Sequence, residues 1–242
     1  MKLRMKLATI LSAVAMLGLS TVTASAVSIG FGFSGGGTYG EVSGTETLND
    51  GNNGGAAGAT QHATQGAHGA LGTIYGQVIV GESIFGDGNG FAIGYEHFAG
   101  TAKIESNTGD ERSDLANGAT TTATVNGTNQ VEAHLEDLNT IFIETPGFTP
   151  LGIYLKAGLS SMEVITNENL YTGAVYGNGS VDGETYGFGF KKAAGGFQVK
   201  TEFNYTEWDT ISLSNTGLKA GANKVTADPE NWAFKFGVGY NF

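Results

Sequence analysis

The sequence predicts an all-β protein: a closed, up-and-down antiparallel transmembrane β-barrel of about eight strands, preceded by a cleaved N-terminal signal helix. Three observations predict it. Apolar and small or polar residues alternate strictly in several segments. The links between these segments alternate between short and long. Gly is abundant (40 of 242 residues) while Pro is scarce (3), and no long apolar run follows the N-terminal segment.

The N-terminal segment reads as an export signal. Lys2, Arg4 and Lys6 give a positive start, Leu7 to Leu19 is apolar or small, and Ala24-Ser25-Ala26 has the small-x-small pattern of a cleavage site. The apolar stretch is short for a stable bilayer anchor. Residues 1–26 are therefore expected to leave, and residues 27–242 to form one barrel domain. Without the signal, 9 basic residues face 23 acidic ones, a formal charge of −14. That balance argues against nucleic acid, whose phosphates require a basic surface. Cys is absent, which excludes disulfides and thiolate metal sites. No cofactor is expected.

The final segment carries the clearest strand. Trp232, Phe234, Phe236, Val238, Tyr240 and Phe242 alternate with Ala233, Lys235, Gly237, Gly239 and Asn241. Period-two alternation of this length is a strand signal, and about 9–11 residues suffice to cross a bilayer at a tilt. Shorter versions recur at Ile29–Ser34, Phe91–Glu96, Leu151–Ser160, Tyr186–Lys191 and Phe197–Tyr205. Two more strands, near Gly69–Glu82 and Val131–Thr145, alternate less cleanly. In the second, Asp137 and Asn139 share the parity of Ile141 and Ile143, which predicts a bulge.

Short links are expected at Gly86–Gly90, Pro146–Pro150 and Ala193–Gly196. Long ones are expected near Gly44–His68, Glu105–Gln130, Ile165–Gly183 and Asp209–Glu230. This rhythm suits an even number of strands with short turns in the periplasm and long loops outside. A soluble β-sandwich would alternate too, but its polar faces would meet water. Here those faces are dominated by Gly, which suits a narrow barrel interior better.

At Tyr240-Asn241-Phe242 the chain resembles bacterial outer-membrane proteins, which typically end in an aromatic strand with Phe last. The resemblance implies that Tyr240 and Phe242 form the signal read by the barrel-assembly machinery. In length and loop rhythm, the mature chain resembles the small OmpA-transmembrane or opacity-type barrels. Outer-membrane lipid, lipopolysaccharide and, during insertion, the assembly machinery are the partners implied. A monomer is expected, with extracellular loops and periplasmic termini. Barrels of this size include structural, adhesive, pore-forming and lipid-modifying members, so the fold alone assigns no activity.

Several motifs bear on chemistry. Gly30-Phe31-Gly32-Phe33-Ser34-Gly35 matches a dinucleotide fingerprint in letters only, since its glycines alternate with aromatics inside a strand and no helix follows. His62 and His68 fall in the first long loop, with no third metal ligand evident. His97 shares the outward parity of Tyr95. Asp110, Glu111 and Asp114 lack the turn pattern of a Ca²⁺ loop. Symmetric pairing about Pro146–Pro150 would bring His134 and Glu136 to Ser160 and Met162, the ingredients of acyl transfer. Yet Ser160 shares the inward parity of Lys156, away from lipid.

The strongest polar constellation is internal. Glu96, Lys156, Lys200, Glu202 and Lys235 all fall on the small-residue faces, a few residues from the periplasmic strand ends. Charges confined there require partners. They are expected to close the lumen as an interlocked layer or, if loosely packed, to line a thin aqueous path. The favoured function is accordingly a non-enzymatic envelope barrel displaying long, flexible acidic loops. The alternatives are a narrow passive channel, then an adhesin, then a lipid A-modifying enzyme.

Overall fold

The computed structural model describes residues 27–47, 60–85, 89–98, 100–108, 129–148, 150–169, 175–216 and 224–242. The signal segment and the Asp110–Asp114 cluster lie outside these residues. Among the described residues there are eleven strands and one helical turn: β1 (Val27–Thr47), β2 (Thr60–Val80), α1 (Glu82–Phe85), β3 (Phe91–Phe98), β4 (Ala102–Thr108), β5 (Asn129–Glu144), β6 (Ile153–Asn169), β7 (Val175–Tyr176), β8 (Gly179–Ala194), β9 (Phe197–Trp208), β10 (Ile211–Thr216) and β11 (Lys224–Asn241).

These make eight staves. β4 continues β3 along β5, while β7 and β10 extend β8 and β9. Every neighbouring pair is antiparallel, and β1 pairs with β11 to close the cylinder. The ladder row that leaves β1 at Tyr39 passes Trp232, Tyr205 and Tyr186, circles the barrel, and returns at Ile29. A stagger of ten residues over eight staves tilts the strands by roughly 35–45°. The soluble sandwich is thereby excluded as an architecture.

The distribution of apolar side chains inverts that of a soluble protein. Phe33 is 64 % exposed and Phe236 51 %, whereas Lys235, beside Phe236 in sequence, is 5 % exposed. The outward rings pair across the strands: Phe188 stacks on Phe203, Phe203 packs tilted against Phe234, and Tyr205 packs tilted against Trp232 at 4.4 Å between centroids. Phe197, Tyr240 and Phe242 cluster edge to face at the short-turn rim. An apolar belt with aromatics towards both ends is the exterior of a barrel embedded in lipid, where closure leaves no backbone group unpaired.

Local sequence explains the turns. Gly195 and Gly196 both have positive φ (59° and 85°), the backbone that a two-residue hairpin needs to match strand twist. Asn89 ties two short turns together: its amide donates to the carbonyl of Phe85, and its Oδ1 accepts from the backbone N–H of Gly147 at 2.6 Å. Inside, Gly94 makes room for Phe142. A Cβ on Gly94 would lie 2.3 Å from the Phe142 ring and 2.7 Å from the carbonyl of Gly76. Gly94→Ala is expected to destabilise the barrel by about 1–3 kcal/mol, the usual cost of overpacking. Urea unfolding in lipid vesicles measures it.

Two expectations need correction. The strands run further into the long connections than composition suggests. β1 and β2 remain paired out to Thr47 and Thr60, so much of Gly44–His68 is ladder, and His62 and His68 belong to a strand. Parts of Ile165–Gly183 and Asp209–Glu230 are likewise strand. The reason is that the ladder is a backbone structure. Once the barrel holds two strands in register, Thr-rich continuations extend them, here with Ser43–Thr64 and Thr45–His62 side-chain bonds across the pair.

The second correction concerns the hairpin between β5 and β6. The bulge is present, with a register shift between Glu136 and Asn139 and Asp137 at φ 50°. However, the turn is centred further along the chain than Pro146–Pro150 implies, with Phe148 bridged to Ile153. His134 consequently faces Ile165, and Ser160 faces Thr140. The acyl-transfer grouping is not assembled.

Candidate functional site

Strand alternation sends one side chain in two into the lumen, and in six of the eight staves it sends charge. Glu96 on β3, Lys156 on β6, Glu202 on β9 and Lys235 on β11 form a ring. The Lys156 ammonium lies 2.9 Å from Glu96 Oε2 and 3.1 Å from Glu202 Oε2. Lys235 bridges the same two carboxylates, 3.1 Å from Glu202 and in direct contact with Glu96. Below it, towards the short turns, Lys200 sits 2.7 Å from Glu144 and 3.4 Å from Glu202, and Lys191 lies 3.6 Å from Glu144.

All seven side chains are less than a tenth exposed. Such charges are tolerable only if each finds several partners. They do. Tyr154 donates its hydroxyl to Glu202 Oε1 at 2.7 Å, and Thr73 donates to Glu96 Oε1 at 2.7 Å. Lys191 also donates to the backbone carbonyls of Thr145 and Gly90. The ammonium groups lie over rings: Lys156 Nζ is 4.2 Å from the Phe142 centroid, Lys200 Nζ 4.4 Å from that of Tyr75, and Lys191 Nζ 5.0 Å from that of Tyr154. Nearby, the Gln77 side-chain amide donates a hydrogen bond to Gln198 Oε1 at 2.9 Å across the lumen.

The five charges singled out from parity, Glu96, Lys156, Lys200, Glu202 and Lys235, are thus brought into one contiguous network. Sequence reasoning missed Glu144 and Lys191. Both were readable: Lys191 follows Gly187 and Gly189 on the inward face, and Glu144 is inward because Ile141 and Ile143 point out. Tyr154 fell on the inward parity of Lys156, but how its ring and those of Tyr75 and Phe142 fill the space between the charges was missed.

The remaining candidates are dispersed. His97 bonds Asn139 through Nδ1 at 2.8 Å, and His68 packs against Tyr39. Ser160 belongs to a hydroxyl chain running Thr140–Ser160–Thr185–Thr206, with spacings of 2.7–2.8 Å. Tyr240 and Phe242 sit at the closing seam, where the Phe242 N–H donates to the carbonyl of Ile29 at 2.9 Å and its ring is 78 % exposed.

No protein-family model matches the chain, and no curated protein matches it by sequence. Among solved structures, it is similar to the outer membrane protein OprG from Pseudomonas aeruginosa, with 14 % identity and a TM-score of 0.49 over 88 % of this chain and 95 % of that one. It is also similar to the outer membrane protease OmpT from Escherichia coli, with 10 % identity and a TM-score of 0.47 over 92 % and 99 %. A third is Ail, the attachment invasion locus protein of Yersinia pestis, with 12 % identity and a TM-score of 0.36 over 88 % and 99 %. Likenesses of this degree assign no activity.

Proposed function

We propose that this chain is a non-enzymatic outer-membrane barrel, exported with loss of residues 1–26, whose lumen is shut by its charged layer and whose role is structural. The observation that carries the reading is the network itself: seven buried charges from six staves, each bonded to its neighbours, with rings packed between them. A water-filled path needs solvated charges. These are buried, and they tie the barrel walls together as a crosslink would.

The rim geometry supports the orientation. Val27, Phe242 and the strand ends that lead into short turns lie at one end, and the strand ends that lead into the long connections at the other, as expected for a periplasmic and an extracellular face. Lipid and lipopolysaccharide are then the partners of the apolar belt. Planar-bilayer recording of the refolded barrel tests the closed lumen. No resolved single-channel steps are expected, and steady conductance in the unmodified protein would overturn the reading in favour of a narrow channel.

Insertion is assigned to the barrel-assembly machinery through the terminal aromatic strand. Phe242→Ser is expected to leave export intact while reducing membrane-embedded, heat-modifiable protein several-fold. Normal embedded amounts of this variant would remove the assembly role from Phe242.

A further inference from the structure

The cylinder is complete through the apolar belt but not at its upper rim. β2 is paired with β1 along its whole length, Thr60 to Val80, yet on its other side it pairs with β3 only from Thr73 to Val80. The stave that β3 begins is resumed by β4, and β4 pairs with β5 alone. Among the described residues, the free edges of Thr60–Gly72 and Ala102–Thr108 therefore face each other across a slot with no ladder between them.

The register shows how the slot arises. His97 is opposite Asn139 but Ala102 is opposite Leu135, so the stave carries one residue more than β5 over this stretch. An extra residue bends a strand and increases its twist. β4 keeps to β5 and stands off from β2, with which it makes little contact. His68, the β2 partner of Tyr39 at the upper aromatic rim, lies within the free stretch, so the slot opens where the barrel leaves the lipid.

Two properties of the β2 edge show what fits it. It is unguarded: edge strands usually carry charges or Pro that deter pairing, whereas Thr60–Gly72 has no Asp, Glu, Lys, Arg or Pro in a chain of net charge −11. It also borders an apolar space. A cavity of about 240 Å³ runs along it, lined by Ala67 to Leu71 on β2, by Phe98 at the foot of the slot and Thr101 across it, and by Met162 and Trp208 behind. A lipid chain or a small apolar solute would fill that space and leave the backbone groups of the edge bare. Another extended backbone supplies donors and acceptors at the strand repeat, and sends alternate side chains into the cavity. We propose that this edge binds an extended polypeptide segment with apolar residues at alternate positions, added to β2 as a further strand.

The test uses the barrel in lipid nanodiscs and a fluorescein-labelled peptide of alternating Val and Thr, with empty nanodiscs as the reference for partition into lipid. Saturable binding in excess of the empty discs is expected, with amide hydrogen exchange slowed in Thr60–Gly72. Two further peptides, N-methylated on the Val set or on the Thr set, keep the side chains and remove backbone donors. At least one of them should bind about tenfold more weakly. Ala70→Lys, which gives the edge the guard it lacks, should weaken the parent peptide about tenfold while the barrel stays heat-modifiable. The peptide series on the unmodified barrel decides the matter if that variant fails to fold. Absence of a saturable excess, or slowed exchange elsewhere than in Thr60–Gly72, would overturn the proposal. Equal binding of all three peptides would assign the space to any apolar molecule, and dimers that protect the same stretch without peptide would assign the edge to a second copy; either result overturns it as well.

Discussion

Lys156→Ala should cost the barrel about 3–5 kcal/mol, the usual loss when one partner of a buried ionic network is removed. The Lys156 ammonium is one of two bridges between Glu96 and Glu202, and its side chain is 2 % exposed. Without it, Glu96 keeps Lys235, and Glu202 keeps Lys235 at 3.1 Å and Lys200 at 3.4 Å. Three cations would then face three carboxylates, but Glu96 and Glu202 would lose the ammonium that sits between them beside the Phe142 ring, in space that water must enter. Denaturant unfolding in lipid should show the loss, and planar-bilayer recording should show conductance that the unmodified barrel lacks. Lys156→Met keeps most of the stem volume and removes only the charge. If it is as damaging as the alanine variant, the loss is ionic and not a packing defect. Two variants as stable as the parent would mean that the lumen is hydrated, and the closed-barrel reading would fall.

Phe236→Arg attacks the opposite face of the same strand. Phe236 lies midway between Trp232 and Tyr240, pointing outward, while Lys235 and Gly237 point in. An arginine near the bilayer midplane of a barrel costs roughly 2–4 kcal/mol, falling to about 0–1 near the interfaces. Phe148, equally exposed but in a turn at the rim, supplies the control. Phe236→Arg should be strongly destabilised in lipid vesicles and Phe148→Arg nearly neutral. Equal stabilities for the two would place Phe236 outside the hydrocarbon.

Where a strand is regular, one parity decides everything about it, and Trp232–Phe242 could be read directly for element, faces and lumen charges. β5 could not. One inserted residue at Asp137 moves every later side chain to the other face, so the irregularity was visible in the sequence but the pairing it produced was not. The position of the next turn, which Pro146 and Pro150 marked only loosely, added to the error and placed His134 near Ser160. The packing of the inward tyrosines was hidden for a different reason. Each is accommodated by glycines on neighbouring strands: a Cβ on Gly32 or Gly239 would lie 2.4 Å from the Tyr75 hydroxyl, and one on Gly189 3.0 Å from the Tyr154 ring. Such size matching is a relation between strands, and it becomes visible only when they are side by side. Strand ends escaped because ladder bonds belong to the backbone and leave no mark on composition.

The network also joins parts of the chain that are remote in sequence. Lys156 and Glu96 are 60 residues apart, Lys235 and Glu96 are 139 apart, and at the seam Thr38 bonds the Trp232 carbonyl 194 residues away. Contacts of such separation form late, because the loop entropy they close must be lost before they stabilise anything. Local hairpins such as β8–β9 can therefore form while the lumen is still open, and the ions meet only when the last strand seals the cylinder. Interactions absent from the folding transition state set the rate of unfolding, not of folding. The charged layer is thus a latch: it governs how long an inserted barrel lasts in the membrane, and has little influence on how quickly one is made.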